Sequence, residues 1–240
     1  RSVSECFVMS QQLVQLQQTD AGLALAVTSD DPQYAELRRG RPVTLDLLKI
    51  DITTGHGRSL QSPMLRAIGL RKGEGRHRPH VLDATAGFGE DAWIIASHGC
   101  RVTMVERHPQ VAVLLRDALH RAAVVRPDIV ERLSLIEADA RAVLADLPRY
   151  FPDDSPTALH LDPMFPTGRK AMERKPFRVL RLLVGHDADS RELLQLALQH
   201  FRGQGRIAVK RPLKAARLID LPEPVHSHKG AAVRYDVYVV

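Results

Sequence analysis

The apolar positions along this chain change their spacing at about residue 81. From there on, short apolar runs typical of buried strands alternate with segments whose apolar residues recur every three or four positions, as in amphipathic helices. The predicted strands are Val81–Ala84, Arg101–Glu106, Leu133–Glu137, Thr157–Leu161, Arg206–Lys210 and Arg234–Val240. The predicted helices are Asp91–His98, Pro109–Val125, Ala140–Leu147, Phe177–Val184 and Ser190–Phe201. This alternation predicts an α/β fold with a mostly parallel sheet between two layers of helices.

The first sixty residues have a different pattern. Two partly alternating segments, Gln12–Gln18 and Gly22–Thr28, flank a polar turn and predict a β-hairpin. The segment Pro42–Ile50 predicts a further strand, and Pro63–Leu70 predicts a helix with proline in its first turn. We therefore expect a small N-terminal β-rich region at residues 1–60, followed by a Rossmann-like domain at residues 61–240.

Composition narrows the class of protein. With 34 Lys and Arg against 28 Asp and Glu, the net charge is +6 and the pI about 9.6, which permits nucleic-acid binding without requiring it. The two cysteines, Cys6 and Cys100, lack CxxC spacing, so neither a zinc site nor a disulfide framework is expected, and no metal is predicted. No apolar run approaches the roughly 20 residues of a membrane span. We expect a cytoplasmic protein.

The segment VLDATAGFGEDAW at residues 81–93 predicts a strand, a glycine turn and a helix start. Gly87 and Gly89 fit the dinucleotide pattern GxGxxG/A, which is a weak signal by itself. The turn also carries three carboxylates, at Asp83, Glu90 and Asp91. These would repel a pyrophosphate, although Glu90 and Asp91 could instead serve only as helix caps. The charge pattern favours a ligand with positive charge, such as S-adenosylmethionine.

Acidic residues also end the next two predicted strands. Glu106 lies where a carboxylate can accept hydrogen bonds from both ribose hydroxyls, and Asp139 where one can accept from an adenine amino group. Carboxylates at strand ends are common on protein surfaces. Three successive strands that end in them on the ligand side favour a cationic cofactor that contains adenosine.

The segment LHLDPMFP at residues 159–166 is a second candidate functional motif and could contain the catalytic residues. The Asp162 carboxylate and the Pro163 carbonyl could both accept hydrogen bonds from one NH2 group, while Phe165 offers a face on which a base can stack. Two acceptors would hold the amine nitrogen in line with a methyl donor. The alternative interpretation is a buried strand end followed by a proline turn.

Taken together, VLDATAGFGEDAW, CRVTMVERHP, LHLDPMFP, AVKRP and HKG…RYDVY resemble the ribosomal RNA small subunit methyltransferase J family over roughly residues 36–240. The resemblance implies a class I S-adenosylmethionine-dependent methyltransferase fold, with a seven-stranded sheet and a small N-terminal β-rich portion. It also implies methylation of the N2 of a guanosine in the 3′-terminal region of 16S rRNA. The cofactor contacts that it implies are Glu90, Asp91, Glu106, Arg107, Asp139, Ala140 and Asp162.

Basic residues follow the second motif and predict contacts with 16S rRNA or the small ribosomal subunit. The predicted RNA-binding residues are Arg169, Lys170, Arg174, Lys175, Lys210 and Arg211. The alternative interpretation is that these basic residues form a solvent-exposed helix face, as most runs of charged residues do.

Three other functions are compatible with parts of the pattern. A nicotinamide-dependent oxidoreductase would use the glycine turn, but the acidic strand ends argue against it. A non-catalytic RNA-binding protein could share the fold, although it would not need to retain Asp83, Glu106 and Asp162. Similar turns, with Asn or Asp before proline and an aromatic residue, also serve methylation of protein glutamine or DNA adenine. The family resemblance favours ribosomal RNA over both.

Overall fold

The computed structural model describes residues 13–54, 59–70, 78–163, 174–185, 190–201, 203, 205–215 and 221–240. Three of the predicted site residues, Phe165, Arg169 and Lys170, lie outside these ranges. All statements below concern the described residues.

A small antiparallel sheet precedes the main sheet. Its strands are β1 (Val14–Thr19), β2 (Gly22–Val27) and β3 (Val43–Thr44), in the order β1-β2-β3. The β1–β2 register, with Val14 opposite Val27 and Thr19 opposite Gly22, confirms the predicted hairpin.

The prediction of a strand over Pro42–Ile50 is wrong beyond its first residues. Extended pairing stops after Thr44, and a 3-10 turn forms at Leu47–Lys49. The Asp46 carboxylate accepts a hydrogen bond from the Leu48 amide and so caps this turn. A local bond from an Asp side chain of this kind competes with strand pairing, which the apolar alternation does not reveal.

The main sheet contains seven of the described strands. They are β4 (His80–Asp83), β5 (Arg101–Glu106), β6 (Leu133–Glu137), β7 (Ala158–Leu161), β8 (Arg206–Pro212), β9 (His226–Lys229) and β10 (Val233–Val239). Their order is β6-β5-β4-β7-β8-β10-β9. Strands β4 to β8 pair in parallel, whereas β10 is antiparallel to both β8 and β9. The predicted mostly parallel α/β sheet is confirmed.

Helices connect these strands. They are α1 (Ala35–Arg38), α2 (Pro63–Ala67), α3 (Glu90–Ser97), α4 (Pro109–Ala123), α5 (Pro127–Val130), α6 (Ala140–Ala145), α7 (Leu147–Tyr150), α8 (Lys175–Val184) and α9 (Ser190–His200). The long helices match their predicted positions within a few residues, because each carries an apolar stripe that packs on the sheet. The four-residue helices α1, α5 and α7 are too short to produce such a stripe.

Strand β9 escaped prediction because its sequence, His-Ser-His-Lys, lacks an apolar face. Its residues are mostly exposed at the edge of the sheet. Hydrogen bonding to β10, and not burial, keeps the segment extended.

Apolar side chains pack on both faces of the main sheet. One cluster joins α3 and α4 to the small sheet and includes Trp93 and Leu25, each 1% exposed. The other lies under α6 and α9 and includes Phe201, which is fully buried. The small N-terminal sheet therefore shares a core with the main sheet, while the domain boundary near residue 60 stays a prediction.

Polar contacts fix the small sheet on α4. The Asp117 carboxylate accepts a hydrogen bond from the Leu23 amide at 3.2 Å, and the Arg121 guanidinium donates to the Leu45 carbonyl at 2.6 Å. Arg121 also bonds to Asp117 one helical turn away. The N-terminal sheet is thus held in one orientation by backbone atoms as well as by apolar packing.

None of the helices in the described part of the chain is long and apolar enough to cross a membrane.

Gly205 lies where β7 and β8 begin and has a φ of +138°. A Cβ atom there would lie 2.1 Å from the Thr157 carbonyl oxygen, a backbone atom that cannot rotate away. We predict that Gly205→Ala lowers the free energy of unfolding by at least about 2 kcal/mol, through steric clash in addition to positive-φ strain. Urea denaturation measures the change.

Gly185 provides the control, because its φ is also positive, at +80°, but no described residue lies within 4 Å of an added Cβ. Its ψ of −157° belongs to a region nearly exclusive to glycine, so Gly185→Ala should cost only backbone strain, about 1–3 kcal/mol, and less than Gly205→Ala. Equal losses in the two variants would show that the Thr157 contact is unimportant.

Candidate active site

A cavity of about 360 Å³ opens at the carboxyl ends of the parallel strands, where ligands bind in sheets of this kind. Its walls contain predicted residues from the ends of β4 to β8 and from the turns that follow. They are Asp83, Gly87, Glu90, Asp91, Glu106, Arg107, Asp139, Ala140, Asp162, Pro163, Lys210 and Arg211. The structure thus brings together residues that are up to 128 positions apart in the sequence, from Asp83 to Arg211.

The glycine turn after β4 is fixed by Glu106. One carboxylate oxygen of Glu106 accepts a hydrogen bond from the Gly87 amide at 3.0 Å, and the other accepts from the His108 amide at 2.7 Å. The Glu106 residue is 7% exposed and lines the cavity. It therefore shapes the turn in addition to offering carboxylate oxygens to a ligand.

Gly89 precedes α3 as its N-cap, with a φ of +72°. A Cβ atom at this position would lie 2.9 Å from a Leu115 methyl group. Both the backbone conformation and the close approach of α4 therefore require glycine here. Gly89 supports the turn and is not part of the cavity wall that Gly87 forms.

Asp139 caps the N-terminus of α6 and is bound by an arginine. Its carboxylate accepts hydrogen bonds from the Arg141 amide at 2.9 Å and from the Arg141 guanidinium at 2.6 Å. The hydrogen bond from the Arg141 side chain lowers the pKa of Asp139, against the effect of burial. Asp139 is therefore ionised at neutral pH and remains on the cavity wall.

Lys210, at the end of β8, binds two of the predicted carboxylates. Its Nζ atom lies 2.9 Å from an Asp91 oxygen and 2.8 Å from an Asp162 oxygen. These ion pairs join α3, β8 and the end of β7 across the cavity. Burial favours neutral Lys210, but the two carboxylates outweigh it and raise the Lys210 pKa well above its usual value. Lys210 thus occupies the interior of the site, whereas the sequence suggested a contact with RNA.

Asp162 is held by its backbone as well as by its side chain. Its amide donates a 2.6 Å hydrogen bond to the Thr85 hydroxyl, and its side chain is 38% exposed within the cavity. Burial raises the pKa of Asp162, and the Lys210 charge offsets part of that effect. One face of the carboxylate remains accessible from the cavity.

His160 is a buried member of the site that the sequence analysis did not single out. It is 1% exposed, with Nδ1 3.4 Å from an Asp83 oxygen and Nε2 3.5 Å from an Asp91 oxygen. Burial alone would lower its pKa, but Asp83 and Asp91 outweigh burial and raise it. The segment LHLDP contains no local sign that His160 is buried beside two carboxylates.

Carboxylates outnumber cations at the inner end of the cavity. There Asp83, Asp91 and Asp162 surround one ammonium group, of Lys210, and one imidazole, of His160. The rest of the wall carries both signs of charge: Glu90, Glu106 and Asp139 line it together with Arg107, Arg141, Arg181 and Arg211. Among the described residues, no cluster of His, Cys, Asp and Glu suited to a metal ion occurs. The donor set fits the sulfonium and ammonium groups of S-adenosylmethionine, and the strand-end carboxylates fit the hydroxyls and amine of its adenosine.

The other predicted RNA-binding residues occupy different environments. Arg174 has an exposed side chain 3.5 Å from Glu90 and 5.2 Å above the Phe177 ring, whereas Lys175 donates hydrogen bonds to two backbone carbonyls of the N-terminal region. Arg211 is 6% exposed and lies 3.8 Å from Asp236. Arg211 is therefore largely buried, and Arg174 is the most accessible cation among the described members of this group.

The order of the main-sheet strands, together with the cavity at their carboxyl ends and the carboxylates that line it, defines a class I S-adenosylmethionine-dependent methyltransferase. A family model described as "Putative SAM-dependent methyltransferase" matches residues 8–240. The chain belongs to this family, whose curated relatives include proteins named ribosomal RNA small subunit methyltransferase J. One from Coxiella burnetii is 38% identical over 95% of this chain and 87% of its own length, and one from Pseudomonas aeruginosa is 37% identical over 91% and 83%.

A solved structure also supports the assignment to S-adenosylmethionine-dependent methyltransferases. The chain resembles a SAM-dependent methyltransferase from Neisseria gonorrhoeae with a TM-score of 0.67 and 26% identity, over 95% of this chain and 84% of that one. The cofactor prediction of S-adenosylmethionine and the predicted fold class are confirmed. The roles of individual site residues stay predictions.

Protonated His160 should make folding stability depend on pH. A histidine with a raised native-state pKa contributes stability that is complete below its unfolded-state pKa of 6.5, and that stability is lost as pH rises through the native-state pKa. We predict that His160→Gln lowers the free energy of unfolding by roughly 1.5–3 kcal/mol below pH 6.5, the range for hydrogen bonds to charged groups. The loss should shrink at higher pH.

His108 offers a control with the opposite sign, because burial and then Arg107 lower its pKa to about 4. The unfolded chain binds a proton at this position between pH 6.5 and 4 while the native protein does not, so the wild-type histidine costs stability there. The wild-type advantage over His108→Gln should therefore shrink as pH falls. Urea denaturation from pH 5 to 9 measures both variants, and a His160 effect that grows with pH would contradict a protonated imidazole.

Proposed function

We propose that this protein transfers the methyl group of S-adenosylmethionine to the exocyclic N2 of a guanosine in 16S rRNA of the small ribosomal subunit, in the cytoplasm. The names of the curated relatives support the RNA substrate. The geometry of Asp162 and Pro163, at the end of β7 and inside the cofactor cavity, is the observation that carries the reaction type.

An exocyclic amine is a poor nucleophile because its lone pair is delocalised into the base. The Asp162 carboxylate, with its accessible face, and the Pro163 carbonyl supply two acceptors for the NH2 group. Thr85 and Lys210 fix Asp162 before the substrate arrives, at 2.6 Å and 2.8 Å respectively. Such preorganised acceptors lower the barrier by positioning the nitrogen and by stabilising the positive charge that develops on it.

The cofactor would be held by residues of three strand ends. We assign Glu106 to the ribose hydroxyls, Asp139 with Ala140 to the adenine, and Asp83 with Asp91 to the cationic end of the molecule. When bound, S-adenosylmethionine supplies an electrophilic methyl carbon, whose bond to sulfur breaks as the amine nitrogen bonds to it. Asp162 then accepts the proton that the nitrogen loses, or passes it to water.

The RNA contacts are proposed from charge and position. We assign Phe165 to stacking on the target base, and Arg169, Lys170, Arg174 and Lys175 to phosphates beside the cavity; the first three of these five residues lie outside the described part of the chain. Lys210 and Arg211 are left out of this group, since Lys210 is bound to two carboxylates inside the cavity and Arg211 is only 6% exposed.

The decisive experiment is transfer of labelled methyl from S-adenosylmethionine to small subunits that lack their native methylation, followed by nucleoside analysis. We predict label in N2-methylguanosine and a loss of kcat of at least about 100-fold in Asp162→Ala, because the acceptor of the amine is removed. S-adenosylmethionine binding, measured separately, should weaken far less than kcat falls, because Asp83, Asp91, Glu106 and Asp139 remain. Label in protein or in another nucleoside would contradict the proposal, as would an active Asp162→Ala protein.

Lys210 should control the pH at which the enzyme becomes active. Its positive charge lowers the pKa of Asp162, so its removal raises that pKa, and the carboxylate must be ionised to accept the amine. We predict that Lys210→Met shifts the acid limb of the kcat profile to higher pH and lowers kcat at pH 7 by roughly tenfold or more. Lys210→Arg, which keeps the charge, should retain a profile close to wild type. An acid limb at the same pH in Lys210→Met would contradict this role.

A further inference from the structure

Polar contacts attach the N-terminal region to α8, and the apolar pattern of the sequence does not predict them. The Lys175 Nζ atom donates hydrogen bonds to the Arg39 carbonyl at 2.7 Å and to the Arg41 carbonyl at 2.9 Å. Arg178, one helical turn further, bonds to Glu36 at 2.8 Å. The turn at residues 39–41 is therefore held against the first turn of α8.

This attachment places two more arginines beside the cavity. Arg39 and Arg41 are both exposed, and their backbone is bound to the residue that follows Arg174. Arg174 in turn lies 3.5 Å from Glu90, which forms part of the cavity wall. A continuous path thus leads from the cavity through Arg174 and Lys175 to the turn at residues 39–41.

The path is strongly basic. The segments 36–41 and 174–181 contain seven Arg and Lys residues against one acid, Glu36, and that acid is bound to Arg178. The small sheet that carries the turn is itself fixed to α4 through Asp117 and Arg121. The backbone that carries Arg39 and Arg41 is therefore held in place by the fold, so that no further backbone entropy is lost when their side chains bind a partner.

We propose that Arg39 and Arg41 extend the RNA-binding surface of α8, so that the N-terminal region contacts backbone phosphates of the strand whose base enters the cavity. The inference rests on the proposed function. Phosphates are the ligands that best match a row of exposed guanidinium groups. A base that is turned out of its stack into a pocket also needs its flanking nucleotides held outside it. The N-terminal region is then part of substrate recognition.

The test compares Arg39→Gln/Arg41→Gln with a control that removes the same charge elsewhere. Arg101→Gln/Arg149→Gln removes the same charge at the amino ends of the strands, whereas the cavity opens at their carboxyl ends. Both arginines are exposed: Arg101 begins β5 and is ion-paired with Asp154, and Phe151 near Arg149 packs on His80 at the start of β4. The probe is an RNA fragment from the 3′-terminal region of 16S rRNA, and binding is measured from 50 to 300 mM salt.

We expect the Arg39/Arg41 variant to bind the RNA roughly tenfold more weakly and to reduce the slope of log K against log salt by about 1.5 to 2. Its KM for RNA should rise while kcat, S-adenosylmethionine affinity and thermal stability stay at wild-type values. The control variant should show an unchanged salt slope. An unchanged slope and KM in the Arg39/Arg41 variant would overturn the inference.

Two further outcomes separate this inference from the proposed function. If the wild-type protein transfers methyl to rRNA but the Arg39/Arg41 variant is impaired only on assembled subunits and binds naked RNA normally, the turn contacts a ribosomal protein, and the RNA assignment is overturned. If the wild-type protein methylates no RNA at all, the proposed function fails, and this inference fails with it.

Discussion

The ion pairs of Lys210 with Asp91 and Asp162 hold the active site together. They connect the first helix after the glycine turn to the ends of the two strands on the other side of the cavity. Without Lys210, the two carboxylates would face each other in a partly buried site, where like charges raise each other's pKa and favour protonation. The lysine charge therefore favours the ionised form of both carboxylates. Together with Asp83, they form the group of carboxylates beside which we expect the cationic end of the cofactor to bind.

The parallel sheet makes this arrangement possible. Successive strands deliver their carboxyl ends to one edge, so Asp83, Glu106 and Asp139 follow from a pattern of short apolar runs that end in an acid. These residues, the glycine turn and the Asp162–Pro163 turn could be placed from sequence alone. Each depends mainly on where its own strand ends, and strand ends are visible in the apolar pattern.

Other features could not be predicted because they depend on contacts between distant segments. Lys210 lies 119 residues from Asp91, and Lys175 lies 136 residues from Arg39, so no local pattern shows that either lysine has a partner inside the protein. Nothing in the sequence around His160 marks it as part of the site. Its protonation depends on two carboxylates contributed by a different strand and a helix. Strand β9 could not be predicted either, because its sequence has no apolar alternation. Pairing with the neighbouring strand β10 keeps it extended.

The claim at the centre of this account is that Asp162 receives the exocyclic amine of guanine beside the bound cofactor. A crystal structure of the protein with S-adenosylhomocysteine and a guanosine-containing oligonucleotide tests it most directly. The account predicts the guanine N2 atom within about 3 Å of the Asp162 carboxylate, the distance of a hydrogen bond, with the Lys210 contact to that carboxylate intact. A guanine whose N2 atom points away from Asp162, or a base bound outside the cavity, would contradict it.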